Sequence, residues 1–188
     1  MASIIFVTGN KNKVREVEAL LRTFGINITD VNLDIDEVQA DDIEYIARHA
    51  AEDSYRILKK ALIVEDSGLY INALNGFPGP YSSYVYKTLG INGILKLMND
   101  MEKRDAIFKA AVAYADERII KVFVGETKGK ISFEPRGKGW GFDPIFIPDG
   151  SSKTFGEMNT DEKNAFSHRG KALLEFAKWF TAKGTIHS

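Results

Sequence analysis

The chain has 188 residues, a length that one domain usually accommodates, so we predict a single domain over residues 1–188. The absence of cysteine excludes disulfides, thiolate zinc sites and cysteine nucleophiles. The 25 basic and 26 acidic side chains leave a net charge of −1, so no overall positive field favours nucleic acid or an anionic membrane as a partner. The first apolar run, residues 4–7, is too short for a signal peptide or a membrane span, and we expect a cytoplasmic protein.

The first third of the chain predicts strands and helices in alternation. Residues 3–8 indicate a buried strand, which turns into a helix whose apolar positions end at Phe24. A second helix is predicted over residues 42–60, and its buried side consists of Ile43, Ile46, Ala47, Ala50, Ile57 and Leu58. The chain then enters a short apolar strand, residues 62–66, which ends in two carboxylates.

The remaining chain mixes loops, strands and helices. Glycines and prolines after the third strand predict an accessible loop, and helical spacing returns from Tyr84 to Met98. Residues 105–131 predict two antiparallel strands joined by a tight turn, and residues 137–148 lead into another strand. Residues 161–183 predict a helix that is broken near Ser167. This order of elements predicts an α/β fold with a mixed sheet.

The turn at residues 8–13 lies where the first strand enters the first helix. Gly9 permits a tight turn, and the free amides at a helix N-terminus attract phosphate. Thr8 and Asn10 can hydrogen-bond phosphate oxygens, and Lys13 adds a mobile cation. The alternative is an ordinary helix capped by asparagine with solvated lysines. The P-loop pattern GxxxxGK(S/T) is absent.

Two acidic segments suggest a metal site. Glu65 and Asp66 follow a buried strand, where α/β folds place ligand groups, and adjacent strand residues point to opposite faces. Asp66 and Glu37 together could supply the oxygen ligands of Mg²⁺, which uses one or two carboxylates with substrate phosphates and waters. For Glu37, a solvated acidic loop is an equal alternative.

The segment GWGFDP, residues 139–144, places two aromatic rings and an aspartate just before a strand. An exposed Trp140 or Phe142 could stack on a nucleobase, and such stacking contributes roughly 1–3 kcal/mol per base. The alternatives are that both rings fill the core and that Asp143 belongs to a turn.

Three potential cations, Lys163, His168 and Arg169, lie within about two helical turns near the end of the chain. Arg169 offers a planar fork of donors to phosphate or to a carbonyl group, and Lys163 offers a point charge. The alternative is a basic helix face in water. With only three histidines in the chain, a histidine-rich zinc site has little support.

Together these segments resemble the inosine triphosphate pyrophosphatase family, whose members hydrolyse non-standard purine nucleoside triphosphates to a monophosphate and pyrophosphate. The resemblance spans nearly the whole chain, and six segments carry it in family order. They are FVTGNKNK, DEVQ, VEDSGLYINALNGFPGPYSS, GWGFDPIFIP, TFGEM and KNAFSHRGKAL. The resemblance implies a homodimer and an elongated mixed sheet flanked by helices, with two lobes around a central cleft.

The resemblance also implies roles for individual residues. Glu37 and Asp66 would bind Mg²⁺, and Asp66 would also accept the proton of the attacking water. The expected substrate-binding residues are Thr8, Gly9, Asn10, Lys13, Ser67, Ser83, Trp140, Gly141, Phe142, Asp143, Lys163, His168 and Arg169. One departure is that many members carry a lysine in the second helix where this chain has Ile46.

The expected reaction is Mg²⁺-dependent hydrolysis of ITP, dITP and XTP, with Asp66 orienting a water that attacks the α-phosphorus. Donors on Arg169, on His168 and near Phe142 are expected to recognise the oxo group of the base. Two alternatives stay open: a Maf-like nucleotide pyrophosphatase with other substrates, and a nucleotide-binding module without turnover. Direct binding of nucleic acid is disfavoured by the balanced charge.

Overall fold

A computed structural model describes residues 2–185, and within them seven strands form one mixed sheet. The strands are β1 (Ala2–Val7), β2 (Ile26–Val31), β3 (Leu62–Ile71), β4 (Pro78–Gly79), β5 (Asp105–Ala115), β6 (Ile120–Ile131) and β7 (Phe146–Pro148). The helices are α1 (Lys11–Arg22), α2 (Ile43–Leu58), α3 (Ser82–Thr88), α4 (Gly90–Leu97), α5 (Thr160–Phe166) and α6 (His168–Thr185). Short 3₁₀ turns lie at Asn72–Leu74, Asp143–Ile145 and Phe155–Glu157. No helix in this part of the chain is long and apolar enough to cross a membrane.

The strand order of the sheet is β2-β1-β3-β5-β6-β7. β1 is parallel to β2 and β3, as expected for strands joined by helical crossovers, here α1 and α2. β3, β5, β6 and β7 pair antiparallel in succession, and β4 pairs antiparallel with β3. The predicted α/β fold with a mixed sheet flanked by helices is confirmed.

Different helices cover the two faces of the sheet, because successive side chains of a strand alternate between the faces. One face packs against α1 and α6 through a cluster that includes Phe6, Val17, Leu21, Ile63 and Phe176. We call the opposite side the α2 face, because its apolar cluster joins α2 to β3 and β5. That cluster includes Ile43, Ala47, Leu62, Val64, Ala111 and Ala113. A third cluster, built around Phe108 and Phe146, packs against α4 and the turn that contains Phe142.

Local hydrogen bonds fix where the helices begin. The side chain of Asn10 accepts hydrogen bonds from the backbone amides of Asn12 and Lys13, which caps α1. The helical segment at the end of the chain breaks at Ser167, whose backbone is extended and whose hydroxyl accepts a hydrogen bond from the amide of Gly170 at 2.9 Å. The predicted break near Ser167 is therefore confirmed, and its cause is a serine that caps a new helix.

Two predictions about the second helix and the third strand were wrong. The strand does not end at Asp66, because β3 pairs with β5 along ten residues, from Leu62 to Ile71. Pairing with β5 thus extends the strand through residues 67–71, for which the sequence predicted a loop. Ile57 is 57% exposed, because the last turn of α2 packs through Tyr55 and Leu58 instead.

Candidate active site

One edge of β3 is unpaired over four residues in the middle of the strand. The pairing with β1 ends at Val64, and the pairing with β4 begins at Leu69. The edge of residues 65–68 therefore faces a gap in the sheet, which we call the β3 gap. Because β1 ends at this gap, the turn at residues 8–13 and the N-terminus of α1 lie beside it.

The two acids at the β3 gap point in opposite directions, as adjacent strand residues must. Glu65 lies on the side of α1 and α6, where it forms ion pairs with Lys13 Nζ at 2.8 Å and with Arg169 Nε at 3.1 Å. Asp66 lies on the α2 face, together with Val64 and Tyr70. The gap thus joins a side of the sheet where Glu65 is paired with cations to a side where Asp66 forms no ion pair within the described residues.

Arg169 is held by three side chains and is only 1% exposed. Its guanidinium donates to Glu16 Oε2 at 2.5 Å and to the hydroxyl of Ser67 at 3.0 Å, and it forms the ion pair with Glu65. The guanidinium carbon also lies 5.2 Å from the centre of the Trp140 ring. Arg169 is therefore a fixed group with paired donors, rather than a cation on a basic helix face in water.

Lys163 is buried in the same cluster. Its ammonium donates to Glu16 Oε1 at 2.5 Å and to Asp143 Oδ2 at 2.7 Å, and it lies 5.0 Å from the centre of the Trp140 ring. The indole of Trp140 donates to the same oxygen of Glu16 at 2.8 Å. Asp143 thus forms a buried ion pair with Lys163, in addition to any role in the turn that the sequence suggested as an alternative.

The buried charge cluster consists of Lys13, Lys163, Arg169, Glu16, Glu65 and Asp143, so its three cations face three acids. Burial by itself would raise the pKa of Glu16, but Arg169 and Lys163 outweigh it and lower that pKa to about 2. For Asp143, burial dominates and raises the pKa despite the opposing effect of Lys163. Because the cluster is nearly neutral, Lys163 and Arg169 are not the unpaired cations that the sequence suggested.

Asp66 is the acid at the β3 gap without a cationic partner at contact distance. Its Oδ2 is buried and makes no hydrogen bond within the described chain. Burial raises its pKa to about 7, the nearby charges of Glu65 and Glu37 add to this, and Lys13 opposes it. An acid that titrates near neutral pH can exchange a proton with water, which is the property a general base needs.

The residues around Asp66 fit a magnesium ion that also binds phosphate. Glu37 is exposed in the loop between β2 and α2, yet it is close enough to Asp66 to raise the pKa of that carboxyl. Within residues 2–185, no group of three or more acidic or histidine side chains is arranged to hold a metal. One or two carboxylates with an unpaired buried oxygen are what Mg²⁺ uses when phosphates and waters complete its shell.

The turn at residues 8–13, which the sequence predicts to bind phosphate, is ordered by its own side chains. The hydroxyl of Thr8 accepts a hydrogen bond from the amide of Asn10 at 3.1 Å, and the Asn10 side chain caps α1. A Cβ at Gly9 would lie 2.9 Å from the side-chain oxygen of Asn32, so a larger residue there would displace that exposed side chain. Lys13 reaches across the gap to the carbonyl oxygen of Glu65 at 3.1 Å.

Several other predicted site residues have packing partners. His168 is 2% exposed and stacks on Phe108 with ring centres 4.5 Å apart, and burial lowers its pKa well below the ordinary value. His168 is therefore a neutral ring rather than a third cation. The side chain of Phe142 is buried in the core and cannot stack on a base there, whereas Trp140 is partly exposed and Gly141 follows it in a left-handed turn.

Ser83 is exposed, and its neighbour Ser82 makes the structural contacts of this segment. The hydroxyl of Ser82 accepts from the amide of Leu69 at 2.8 Å and donates to the carbonyl of Gly79 at 2.6 Å. Ser82 therefore joins β3 to β4 at the far end of the β3 gap.

The sequence did not reveal Glu16, which contacts three groups of the cluster. A signal was present, because Glu16 lies between Val14 and Val17 on the apolar side of α1. An acid at a buried helical position requires ionic partners, since an unpaired buried charge is costly.

Comparison with known proteins defines the class to which this site belongs. The sequence matches the Ham1 family over residues 4–179, and the chain therefore belongs to the Ham1 family. It is 48% identical to the dITP/XTP pyrophosphatase of Hyperthermus butylicus, over 96% of each chain. It is 50% identical to the dITP/XTP pyrophosphatase of Pyrococcus horikoshii, over 94% of this chain and 95% of that one.

Solved structures give the same fold. A HAM1 protein from Coxiella burnetii aligns with a TM-score of 0.84 and 30% identity, over 97% of this chain and all of that one. The Ham1 protein of Staphylococcus aureus aligns with a TM-score of 0.82 and 25% identity, over 96% of this chain and 99% of that one. The resemblance seen in the sequence is thus confirmed.

Proposed function

We propose that this chain is a nucleoside triphosphate pyrophosphatase that hydrolyses non-standard purine nucleotides such as dITP, ITP and XTP. Its relatives, named as dITP/XTP pyrophosphatases, match nearly the full length of both chains. The observation that carries the proposal is the β3 gap, where the buried Oδ2 of Asp66, which has no hydrogen-bond partner within the described residues, lies near Lys13 and the rest of the buried charge cluster. The products are a nucleoside monophosphate and pyrophosphate.

We propose Mg²⁺ as the cofactor, held by Asp66 and Glu37. The buried charge cluster is nearly neutral, so these two further carboxylates leave the β3 gap without the positive charge that a polyphosphate needs. A divalent ion supplies that charge to the phosphate oxygens when it is bound.

Asp66 acts on the attacking water. Its carboxylate accepts a proton from a water molecule while the water oxygen bonds to the α-phosphorus. The bond from the α-phosphorus to the bridging oxygen breaks, and pyrophosphate leaves with that oxygen. Lys13, whose side chain is 17% exposed, is available to donate to the phosphates beside it.

The base lies beside Trp140, the partly exposed ring of the site, and the cluster behind it sets the choice of base. An oxo group at position six accepts hydrogen bonds, whereas the amino group of adenine leaves buried donors unpaired at a cost of roughly 1–3 kcal/mol. Because Nη1 and Nη2 of Arg169 already donate to Glu16 and Ser67, the oxo group either exchanges with one of these partners or binds backbone amides near His168.

Two alternatives make different predictions. A Maf-like pyrophosphatase would prefer other nucleotides, and a binding module would bind ITP without turnover. The unpaired acid at the gap favours turnover, because a carboxylate facing the ligand only weakens the binding of a polyanion. The cytoplasmic location and the homodimer remain predictions.

A panel of ITP, dITP, XTP, GTP and ATP, assayed with Mg²⁺ and with product identification, tests the proposal. We expect pyrophosphate and a monophosphate from the first three nucleotides, with at least tenfold lower kcat/KM for ATP, as one or two unpaired donors imply. Asp66→Asn should lose at least a hundredfold in kcat, at the lower end of what a positioned base contributes. Orthophosphate as product, or an Asp66→Asn variant of normal activity, would contradict the mechanism.

A further inference from the structure

The α2 face of the sheet is apolar where α2 covers it and polar further along β3 and β5. Val64 of β3 and Ala111 and Ala113 of β5 pack beneath α2. Further along the same two strands, Asp66 and Lys109 occupy positions on this face, since side chains two residues apart share a face. The polar part of the α2 face therefore continues directly from the acidic side of the β3 gap.

Lys109 lies diagonally across from Asp66. The register of β3 and β5 pairs Asp66 with Ala111 and Gly68 with Lys109. Diagonal neighbours on one face of an antiparallel pair are roughly 7–8 Å apart, which a flexible four-carbon lysine stem can span. Gly68 has no side chain, and the place that its Cβ would take is filled by the carbonyl group of Gly79 and by the edge of the Tyr70 ring, so the stem of Lys109 would reach Asp66 alongside that ring.

The present partners of Lys109 are exchangeable. Its ammonium lies 3.0 Å from Glu44 Oε1 in the first turn of α2 and 4.0 Å from Glu126 Oε1 of β6. The side chains of these two acids are 43% and 50% exposed, and that of Lys109 is 24% exposed. Such partly solvated pairs contribute little to stability, so a phosphate with more charge can replace them.

This part of the surface otherwise carries mainly negative charge. Burial raises the pKa of Tyr70 to about 12, and the carboxylates of Asp66, Asp42, Glu126 and Asp41 add to that rise, so these acids lie within electrostatic reach of its hydroxyl. The residues of α2 that turn towards the sheet, Ile43, Ile46 and Ala47, are apolar and offer no cation. A polyphosphate that extends from Asp66 over this face needs a donor, and Lys109 is in position to be one.

We propose that Lys109 binds the terminal phosphate of the substrate, leaving Glu44 and Glu126 as it does so. The proposal rests on the proposed function, since it assumes that the α-phosphate lies at Asp66. Lys13 then holds the inner part of the triphosphate at the gap, and Lys109 holds its outer end. The same contact would retain pyrophosphate, which carries the terminal phosphate after hydrolysis.

The test compares Lys109→Gln and Lys109→Arg with wild type. We expect Lys109→Gln to raise the KM for ITP about tenfold with little change in kcat, as the loss of a contact made equally in the ground and transition states predicts. It should weaken inhibition by pyrophosphate by a similar factor and leave inhibition by IMP and the KM for IDP unchanged. Lys109→Arg should restore most of the affinity for ITP. Lys128→Gln, which removes an exposed lysine from the same face of β6, is the matched control and should behave as wild type.

Glu44→Gln separates binding from a structural role of the ion pair. If Lys109 binds phosphate, removing its competitor should leave the KM for ITP unchanged or lower it, whereas a purely structural pair would make Glu44→Gln as defective as Lys109→Gln. The second result would overturn the proposal, and so would a Lys109→Gln variant with the KM and pyrophosphate inhibition of wild type. Calorimetric binding of pyrophosphate with Mg²⁺ provides a readout without turnover. If wild type releases no pyrophosphate from ITP, the proposed function fails instead.

Discussion

Replacing Glu16 by glutamine tests whether this one carboxylate holds the buried charge cluster together. Glu16 is 5% exposed, and its two oxygens accept hydrogen bonds from Lys163, Arg169 and Trp140. Glutamine keeps the shape but removes the charge and leaves one acceptor oxygen instead of two. The variant would therefore bury three cations against the two remaining acids of the cluster.

Two independent arguments give the magnitude of the effect. Although burial opposes it, the pull of Arg169 and Lys163 lowers the pKa of Glu16 from 4.5 to about 2, which corresponds to about 3 kcal/mol of folding stability. Because the pKa is lower in the folded protein, this stability is fully present above pH 4.5 and is lost as the pH falls towards 2. Removing one partner of a buried ion pair costs roughly 3–5 kcal/mol, which agrees.

Thermal unfolding at pH 7 and at pH 3 measures this effect. For a chain of this length, a loss of about 3 kcal/mol lowers the Tm by roughly 6–12 °C at pH 7, and the difference from wild type should shrink by about half at pH 3. Glu18→Gln on the same helix is the control, because the pair of Glu18 with Arg22 is exposed and contributes roughly 0.5 kcal/mol. A Glu16→Gln variant that melts within 2 °C of wild type, or a difference that does not depend on pH, would refute the reasoning.

Two further predictions concern β3. Asp66→Asn should be inactive, since the proposed base is lost, but it should be more stable than wild type at pH 8. The pKa of Asp66 is raised to about 7 in the folded protein, so the stability of wild type falls as the pH rises from about 4 to about 7, whereas the neutral asparagine avoids this loss. Urea unfolding at pH 5 and pH 8 checks this, and equal stability of the two proteins at pH 8 would be the contrary result. Gly68→Ala should lose roughly 1–3 kcal/mol, because its Cβ would lie 2.8 Å from the carbonyl carbon of Gly79 and closer still to its oxygen. An unchanged urea midpoint would contradict this.

The elements that were predicted correctly carry local signals. The unit of β1 and α1 shows an apolar run, an asparagine cap and helical periodicity, and the structure contains each of them. The hairpin of β5 and β6 follows from two β-branched and aromatic runs around a turn at Asp116, whose carboxylate accepts from the amides of Arg118 and Ile119. In each case, interactions within a few residues decide the conformation.

The features that escaped prediction depend on residues far apart in the sequence. β3 continues past Asp66 because it pairs with β5, which lies about forty residues later in the sequence. The β3 gap exists because the pairing with β1 ends at Val64 and the pairing with β4 begins only at Leu69. The partners of Glu16 lie more than a hundred residues away, so its role as the centre of the charge cluster could not be read from its neighbours. A buried acid on an apolar helix face predicts that partners exist, but not which residues they are.

Lys163 and Arg169 form ion pairs with buried acids, and this changes what the two cations can contribute to catalysis. A cation whose charge is balanced by a buried acid adds little to the long-range attraction of a polyphosphate. It is, however, fixed in position before the substrate arrives, so its donors need no reorganisation when charge shifts during the reaction. In the proposed mechanism, attraction then falls to the more accessible cations Lys13 and Lys109 and to the proposed Mg²⁺. On that proposal the two faces of β3 would serve two tasks, with the selection of the base on the side of Arg169 and the binding of the phosphates around Asp66.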